Sequence, residues 1–109
     1  MSYFCEVDNR AEKELAPGVT AKTFWQQNML LSVVVLQPNA VVPEHTHPHE
    51  QAGTVIEGEL SMTIAGETRV LKVGDCYIIP GDVPHSATAH NGLARVIDIF
   101  SPVRESYQY

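Results

Sequence analysis

The sequence has little positive charge and no cluster of it. Only 7 lysines and arginines stand against 13 aspartates and glutamates, so the net charge is −6. Affinity for nucleic acid rests largely on neutralising phosphates, and we therefore expect no nucleic-acid partner. A small anionic molecule can still bind, but only where an arginine is placed locally against the overall field.

Cysteine and long apolar runs are also scarce. The two cysteines, Cys5 and Cys76, form no disulfide framework. The first residues lack the basic start and the apolar run of a secretory signal, so we expect a cytoplasmic protein. Apolar stretches such as residues 33–36 are far too short to cross a bilayer, and we expect no contact with a membrane.

Length and composition predict one globular domain. Apolar residues make up 44% and charged residues 18% of the 109 positions, which is typical of a folded chain. We interpret the chain as one domain with an N-terminal segment (1–28), a barrel (29–101) and a tail (102–109). Residues 11–15 predict a short helical turn before the Pro17–Gly18 break. The tail is expected either to fray or to fold back over the barrel mouth.

Short apolar runs separated by turn residues dominate the chain from Met29 onward. Turns recur roughly every eight to ten residues, without helical inserts, as in antiparallel sandwiches and barrels. Leu60, Met62 and Ile64 alternate with smaller or polar residues, which indicates a strand with one face in the core. A parallel sheet would need crossover helices, for which the runs leave no room.

Three of the five histidines, His45, His47 and His49, lie at alternate positions in one short segment. Alternate side chains of an extended strand share a face, so His45 and His47 should converge. A lone histidine in a strand is usually structural, but neutral imidazoles clustered between apolar runs are well satisfied by one divalent cation. Pro48 interrupts the strand before His49, and His49 is left out of the expected ligand set.

Another imidazole should reach this site from a distant loop. His85 follows a loop in which Pro80, Gly81 and Pro84 restrict the backbone, and this restriction limits the entropy lost when the histidine coordinates. His90, by contrast, is expected to be an exposed turn residue. Sites rich in imidazole suit Zn, Ni, Fe, Cu or Mn, so the sequence predicts a divalent transition metal without choosing among them.

Asp98 lies inside an apolar strand near the C-terminus, where an unpaired carboxylate would be costly. It is either paired with an arginine, namely Arg69, Arg95 or Arg104, or it serves as an acid or base beside a metal. Strand parity places Asp98 and Phe100 on one face and Arg95 on the other, which argues against Arg95 as the partner.

Arg104 is a candidate for binding a substrate carboxylate. It follows the Ser101–Pro102 turn, and its planar guanidinium can hold a carboxylate through two parallel hydrogen bonds. The sequence alone slightly favours an ordinary surface arginine over this role.

The spacing of these residues resembles the paired motifs of the cupins. The first motif comprises His45, His47, Gln51 and Gly58, and the second comprises Gly74, Pro80 and His85. The resemblance implies an all-β, single-domain cupin fold, a double-stranded β-helix or jelly roll, and a homodimer. It also implies one divalent metal held by His45, His47, Gln51 and His85. Gln51 stands where most cupins have glutamate, so a neutral amide would replace an anionic ligand and leave a stronger Lewis acid.

With Asp98, Phe100 and Arg104 added, the motifs resemble the small cupins of pectin and alginate breakdown. Those proteins promote ring opening of a 4,5-unsaturated uronate towards linear 5-keto-4-deoxyuronate. The resemblance implies that Asp98 is the acid/base, that Phe100 shapes the pocket and that Arg104 grips the substrate carboxylate. Because this fold hosts many activities, two alternatives stand beside this one. The first is an Fe- or Cu-dependent dioxygenase, and the second is a non-catalytic module that binds or senses a metal or a sugar.

Overall fold

The structure, a computed structural model, describes residues 3–109, and its regular secondary structure is almost entirely β-strand. Within these residues the strands are β1 (Lys13–Ala16), β2 (Val19–Trp25), β3 (Leu30–Leu36), β4 (Val41–His45), β5 (Glu50–Glu57), β6 (Leu60–Ile64), β7 (Glu67–Leu71), β8 (Cys76–Ile79), β9 (His85–Ala89) and β10 (Ala94–Ser101). Two single-turn 3-10 helices lie at Val7–Asn9 and Glu105–Tyr107. Across residues 3–109 no helix is long and apolar enough to span a membrane. The predicted all-β class is confirmed.

The strands form two antiparallel sheets. The larger sheet has the order β1-β2-β3-β10-β5-β8, and the smaller sheet has the order β4-β9-β6-β7. Strands far apart in sequence are neighbours in both, since β10 lies between β3 and β5, and β9 lies between β4 and β6. This interleaving is the jelly-roll arrangement that the cupin resemblance implied, and it agrees with the antiparallel sandwich or barrel that the turn spacing predicted.

The hydrophobic core lies between the two sheets. The larger sheet contributes Val19, Val34, Leu36, Val55, Ile79 and Val96, and the smaller sheet contributes Leu60, Met62, Ala87 and Ala89. Burying a side chain as large as valine or leucine contributes roughly 1.5–3 kcal/mol. Burial alternates along β10, so Asp98 and Phe100 share the inner face with Val96. The alternation therefore places a carboxylate among core side chains.

The helical turn predicted for residues 11–15 is wrong, because β1 occupies most of that segment and pairs with β2. One isolated helical turn gains little free energy, whereas pairing satisfies the backbone of β1 and packs Leu15 against the core. Gly18, at φ +77°, closes the hairpin. Since β1 and β2 belong to the larger sheet, the barrel begins well before the boundary predicted at residue 29.

The C-terminal tail folds back over the barrel. The hydroxyl of Thr23 donates a hydrogen bond to the backbone oxygen of Tyr107 (2.6 Å), and Lys13 donates one to the backbone oxygen of Ser106 (2.6 Å). Arg10 donates to the backbone oxygen of Tyr109 (2.7 Å). Of the two predicted outcomes for the tail, the structure therefore shows the second.

Candidate metal centre

Three imidazoles meet at one end of the barrel. His45 ends β4 and pairs with His85 at the start of β9, while His47 reaches them from the loop that follows β4. The ring centroids of His45 and His85 are 4.3 Å apart, and those of His47 and His85 are 5.0 Å apart. One nitrogen from each ring lies within 4.8 Å of the others. The two motifs are thus brought together as the sequence predicted.

The three rings are held in one tautomer by backbone oxygens. Each Nδ1 atom lies near a carbonyl, in the pairs His45 with Pro43 (2.8 Å), His47 with His49 (3.0 Å) and His85 with Val83 (2.8 Å). A carbonyl oxygen only accepts, so Nδ1 carries the hydrogen and Nε2 carries the free lone pair. Nε2 of His85 is buried without a hydrogen-bond partner. A hydrogen bond from the second ring nitrogen to a backbone carbonyl is typical of metal-ligating histidines. The three residues therefore fit a divalent cation.

The protonation of these rings also suits a metal. Burial, together with the positive charge of Arg104, lowers the pKa of His47 to about 4. Burial likewise lowers the pKa of His85. Because metal binding requires neutral imidazole, both rings are in the competent state at neutral pH.

Gln51 links this cluster to the carboxylate. Its Oε1 atom lies 3.1 Å from Nε2 of His47, and in the tautomer set by the backbone both atoms present lone pairs. A cation between them would satisfy both. The side chain of Gln51 is also hydrogen-bonded to Asp98, for which the amide N–H group is the available donor. A glutamate here would instead place a second carboxylate against buried Asp98.

Asp98 lies on the inner face of β10 and is 8% exposed. Its Oδ1 atom accepts a hydrogen bond from the hydroxyl of Tyr77 (2.5 Å). Burial raises the pKa of Asp98 to about 6. The increase is limited by the hydrogen bonds from Tyr77 and Gln51 and by the positive charge of Arg104, which favour the ionised form. A carboxyl group with this pKa can exchange a proton near neutral pH.

Two of the three arginines considered as partners of Asp98 are engaged elsewhere. Arg95 lies 3.6 Å from Glu57, and Arg69 lies 2.6 Å from Glu67. Arg104 is the arginine whose charge acts on Asp98. The prediction from strand parity, which argued against Arg95, agrees with this arrangement.

Arg104 is stacked beside the site by two aromatic rings. Its Cζ atom lies 3.9 Å from the ring centroid of Tyr107 and 5.2 Å from that of Phe100. Phe100 is fully buried and meets the ring of His47 edge-on, with centroids 5.5 Å apart. The guanidinium also donates a hydrogen bond to the side chain of Tyr107, and its other N–H groups can bind an oxyanion. Arg104 is therefore a half-buried pocket residue rather than an ordinary surface arginine.

These side chains line one pocket at the barrel mouth. The polar and aromatic members of the lining are His45, Gln51, Tyr77, His85, Ser86, Asp98, Phe100, Arg104 and Tyr107. The space inside measures about 60 Å³. A larger groove of about 700 Å³ is lined by residues such as Phe24, Trp25 and Tyr109, and none of the predicted site residues borders it. The chemistry therefore belongs to the smaller pocket.

The remaining histidines lie outside the cluster. Nε2 of His49 is 3.3 Å from a carboxylate oxygen of Glu105 in the tail. His90 is partly exposed and contacts Ser61 (2.8 Å) and Glu59 (3.2 Å). Neither joins the three-histidine group, in agreement with the sequence-based choice.

Two tyrosines of the pocket, Tyr77 and Tyr107, were missed in the sequence. Tyr77 alternates with exposed residues along β8, and a buried tyrosine hydroxyl needs a hydrogen-bond partner. The sequence therefore carried a weak signal that Tyr77 bonds to a polar group in the barrel. Its partner Asp98 could not be identified without knowing which strands are neighbours. Tyr107 lies in a polar tail whose position no sequence pattern defined.

Comparisons with known proteins agree with this geometry. The family model described as "Cupin domain" matches residues 32–100. The pectin degradation protein KdgF of Dickeya dadantii (strain 3937) is 30% identical over 107 residues, which cover 96% of each chain. The solved structure of KdgF from Halomonas sp. has a TM-score of 0.89 at 29% identity and 99% coverage of both chains. An RmlC-like cupin from Shewanella frigidimarina NCIMB 400 has a TM-score of 0.91 at 25% identity, covering 99% of this chain and 97% of the other.

Proposed function

The chain belongs to the cupin domain family, and from that premise we propose that it is a metal-dependent enzyme of pectin breakdown. Its reaction is the ring opening of a 4,5-unsaturated uronate to linear 5-keto-4-deoxyuronate. Similarity to KdgF proteins over nearly the whole chain supports this assignment. The observation that carries it is the placement of three imidazole lone pairs, a buried carboxylate and a stacked arginine around one small pocket.

One divalent transition metal, Zn, Ni, Fe, Mn or Cu, would be held by His45, His47, Gln51 and His85. When bound there, it supplies a Lewis acid that polarises a substrate oxygen. The neutral amide of Gln51 adds no negative charge to this ligand set, and this preserves the electrophilicity of the site.

Arg104 binds the carboxylate of the uronate, and Phe100 forms the wall against which the sugar lies. The stacked guanidinium fixes the direction of approach, so the substrate enters the pocket in one orientation. The overall charge of −6 disfavours anions, so the local positive charge of Arg104 is needed to bind a substrate carboxylate.

Asp98 moves the proton. As a base it takes the hydrogen of the C1 hydroxyl while the bond between C1 and the ring oxygen breaks, which leaves an aldehyde and an enolate. It then returns that proton to C4, and the enolate becomes the C5 ketone. Atoms and electrons balance without a co-reactant, and a carboxyl group whose pKa lies near 6 can perform both transfers.

The assay is the loss of the ultraviolet absorbance of the conjugated double bond when enzyme is added. We expect Asp98→Asn to lower kcat at least 100-fold, as for removal of a general acid/base, with Asp8→Asn on the exposed 3-10 helix as the matched control. An Asp98→Asn variant as active as the parent would refute the role. Oxygen uptake in a substrate screen would instead support a dioxygenase, and ligand binding without turnover would support a binding module.

We also propose that the protein works as a cytoplasmic homodimer. An apolar row crosses the outer face of the larger sheet, where Ile99, Ala52 and Ile78 are paired across β10, β5 and β8. Ile78 is 75% exposed and Ile99 is 41% exposed. A second copy of the chain would remove this row from water.

A further inference from the structure

A row of three residues crosses the larger sheet beneath the pocket. Asp98 on β10 is paired with Gly53 on β5, and Gly53 is paired with Tyr77 on β8. Adjacent strands lie about 4.8 Å apart, so β8 and β10 are separated by roughly 9.6 Å. The hydroxyl of Tyr77 nevertheless reaches Oδ1 of Asp98 at 2.5 Å. The tyrosine side chain must therefore pass over the strand between them.

Gly53 makes this passage possible. A Cβ atom at this position would collide with Oδ1 of Asp98 and with the phenol of Tyr77. The backbone at Gly53 is outside the left-handed region, unlike that of Gly18 or Gly58, so the turn chemistry that usually calls for glycine does not apply. The missing side chain is required by the hydrogen bond above it.

The phenol is a dependable donor to the carboxylate. Tyr77 is buried, and burial together with the charge of Asp98 raises the pKa of its hydroxyl well above the ordinary value. It therefore stays protonated and can only donate to an ionised Asp98. An ionised carboxylate offers about four acceptor sites, so the bonds from Tyr77 and Gln51 leave lone pairs for a substrate proton.

We propose that Tyr77, admitted by Gly53, is a positioning residue that holds the Asp98 carboxylate in the orientation required for proton transfer. This inference rests on the proposed function, because it assigns Tyr77 to the reaction through Asp98. The hydroxyl of Tyr77 lies one hydrogen bond away from the group that contacts the substrate.

Two variants test the proposal by breaking the hydrogen bond between Tyr77 and Asp98 in different ways. Tyr77→Phe removes the hydroxyl and keeps the ring, and Gly53→Ala fills the space between the partners. We expect each to lower kcat about 10- to 100-fold while KM changes less than about threefold, since the carboxylate loses its orientation for proton transfer while the groups that bind the substrate remain. Gly92→Ala is the matched control, because a Cβ atom there meets nothing within 4 Å. Tyr3→Phe, at a residue that is 90% exposed, is the control for the loss of a hydroxyl outside the pocket.

A purely structural role for Tyr77 gives a different pattern. It would lower the melting temperature while kcat stayed at the parental value, and that result overturns the proposal. If Gly53→Ala does not fold, Tyr77→Phe alone decides. In an Asp98→Asn background, Tyr77→Phe should cause no further loss of kcat, because the group that it positions is already absent.

The outcomes separate this inference from the proposed function. A loss with Asp98→Asn but none with Tyr77→Phe overturns the positioning role alone. If the parent does not turn over unsaturated uronates, the proposed function fails, and crystal structures of the parent and of Tyr77→Phe decide the inference. Rotation of the Asp98 carboxylate in the variant supports positioning by Tyr77, and an unmoved carboxylate overturns it.

Discussion

At the residue scale, the site depends on one side chain, Asp98, that must meet two opposite demands. Asp98 is buried, and burial disfavours its charged form, yet a proton acceptor must be ionised. The hydrogen bonds from Tyr77 and Gln51 and the charge of Arg104 oppose that penalty, and the resulting pKa is about 6. The environment thus places the titration of this carboxyl group where acid/base chemistry needs it.

The pH dependence of kcat should report this carboxyl group. Asp98 acts as a base when ionised, so kcat should fall about tenfold per pH unit below its pKa. A bound cation lowers the pKa of a neighbouring carboxyl group, and we therefore expect the inflection at or below about pH 6. The measurement is kcat at saturating substrate from pH 4 to 9. An inflection above pH 7 would contradict this assignment.

Replacing Gln51 by glutamate should shift both the metal affinity and the inflection. The new carboxylate binds a cation more tightly, while its charge beside Asp98 disfavours ionisation and raises the pKa of Asp98. We expect a lower metal Kd and a kcat inflection displaced to higher pH by about one unit or more. Gln37→Glu, at an exposed position, is the control. An unmoved inflection would show that the residue at 51 does not act on Asp98.

At the element scale, the C-terminal tail forms one wall of the pocket. Arg104 and Tyr107 line this wall, and the ring of Tyr107 meets that of Phe100 edge-on, with centroids 5.4 Å apart. The attachment of the tail therefore sets the position of the Arg104 guanidinium at the pocket.

Weakening the attachment of the tail should change substrate affinity. Thr23→Val removes the hydrogen bond to the backbone oxygen of Tyr107, which is worth about 1 kcal/mol or roughly a fivefold change in an equilibrium. Because Arg104 is carried by the same segment, we expect KM to rise severalfold with a smaller change in kcat. Thr88→Val, on the exposed face of β9, is the control. A KM equal to that of the parent would mean that this bond does not hold the arginine in place.

The sequence predicted the elements that carry periodic signals and missed those that depend on pairing. Alternation identified the inner face of β10, and the motif spacing identified His45, His47 and His85 before any contact was known. Residues 11–15 were misassigned because helix propensity is local, whereas strand β1 exists through its pairing with β2. The contact between Tyr77 and Asp98 depends on the order of β8, β5 and β10, which no local pattern contains.

At the scale of the whole molecule, the inner and outer faces of the sheets have different roles. Their facing surfaces hold the core and the pocket, while the outer face of the larger sheet presents Ile78 and Ile99 to solvent. Long unprotected apolar rows are rarely left open on soluble proteins. The proposed homodimer would cover this one without touching the pocket residues.

One substitution on the outer face should separate the subunits. Ile78→Lys places a charge in the apolar row. We expect the molar mass measured by light scattering after size exclusion to fall from that of two chains to that of one chain. Val70→Lys makes the same change at an exposed position of the smaller sheet and should leave the mass unchanged. A parent protein that is already monomeric would refute the dimer.

The central claim is that the pocket opens unsaturated uronates with the help of one bound metal. The most direct measurement follows the formation of 5-keto-4-deoxyuronate by NMR with protein stripped by a chelator, and again after one equivalent of divalent metal is restored. We predict that the stripped protein does not exceed the spontaneous rate and that the restored protein exceeds it by at least 100-fold, as expected for removal and return of a Lewis acid. Equal rates with and without metal, or no product above the spontaneous rate in either sample, would contradict the claim.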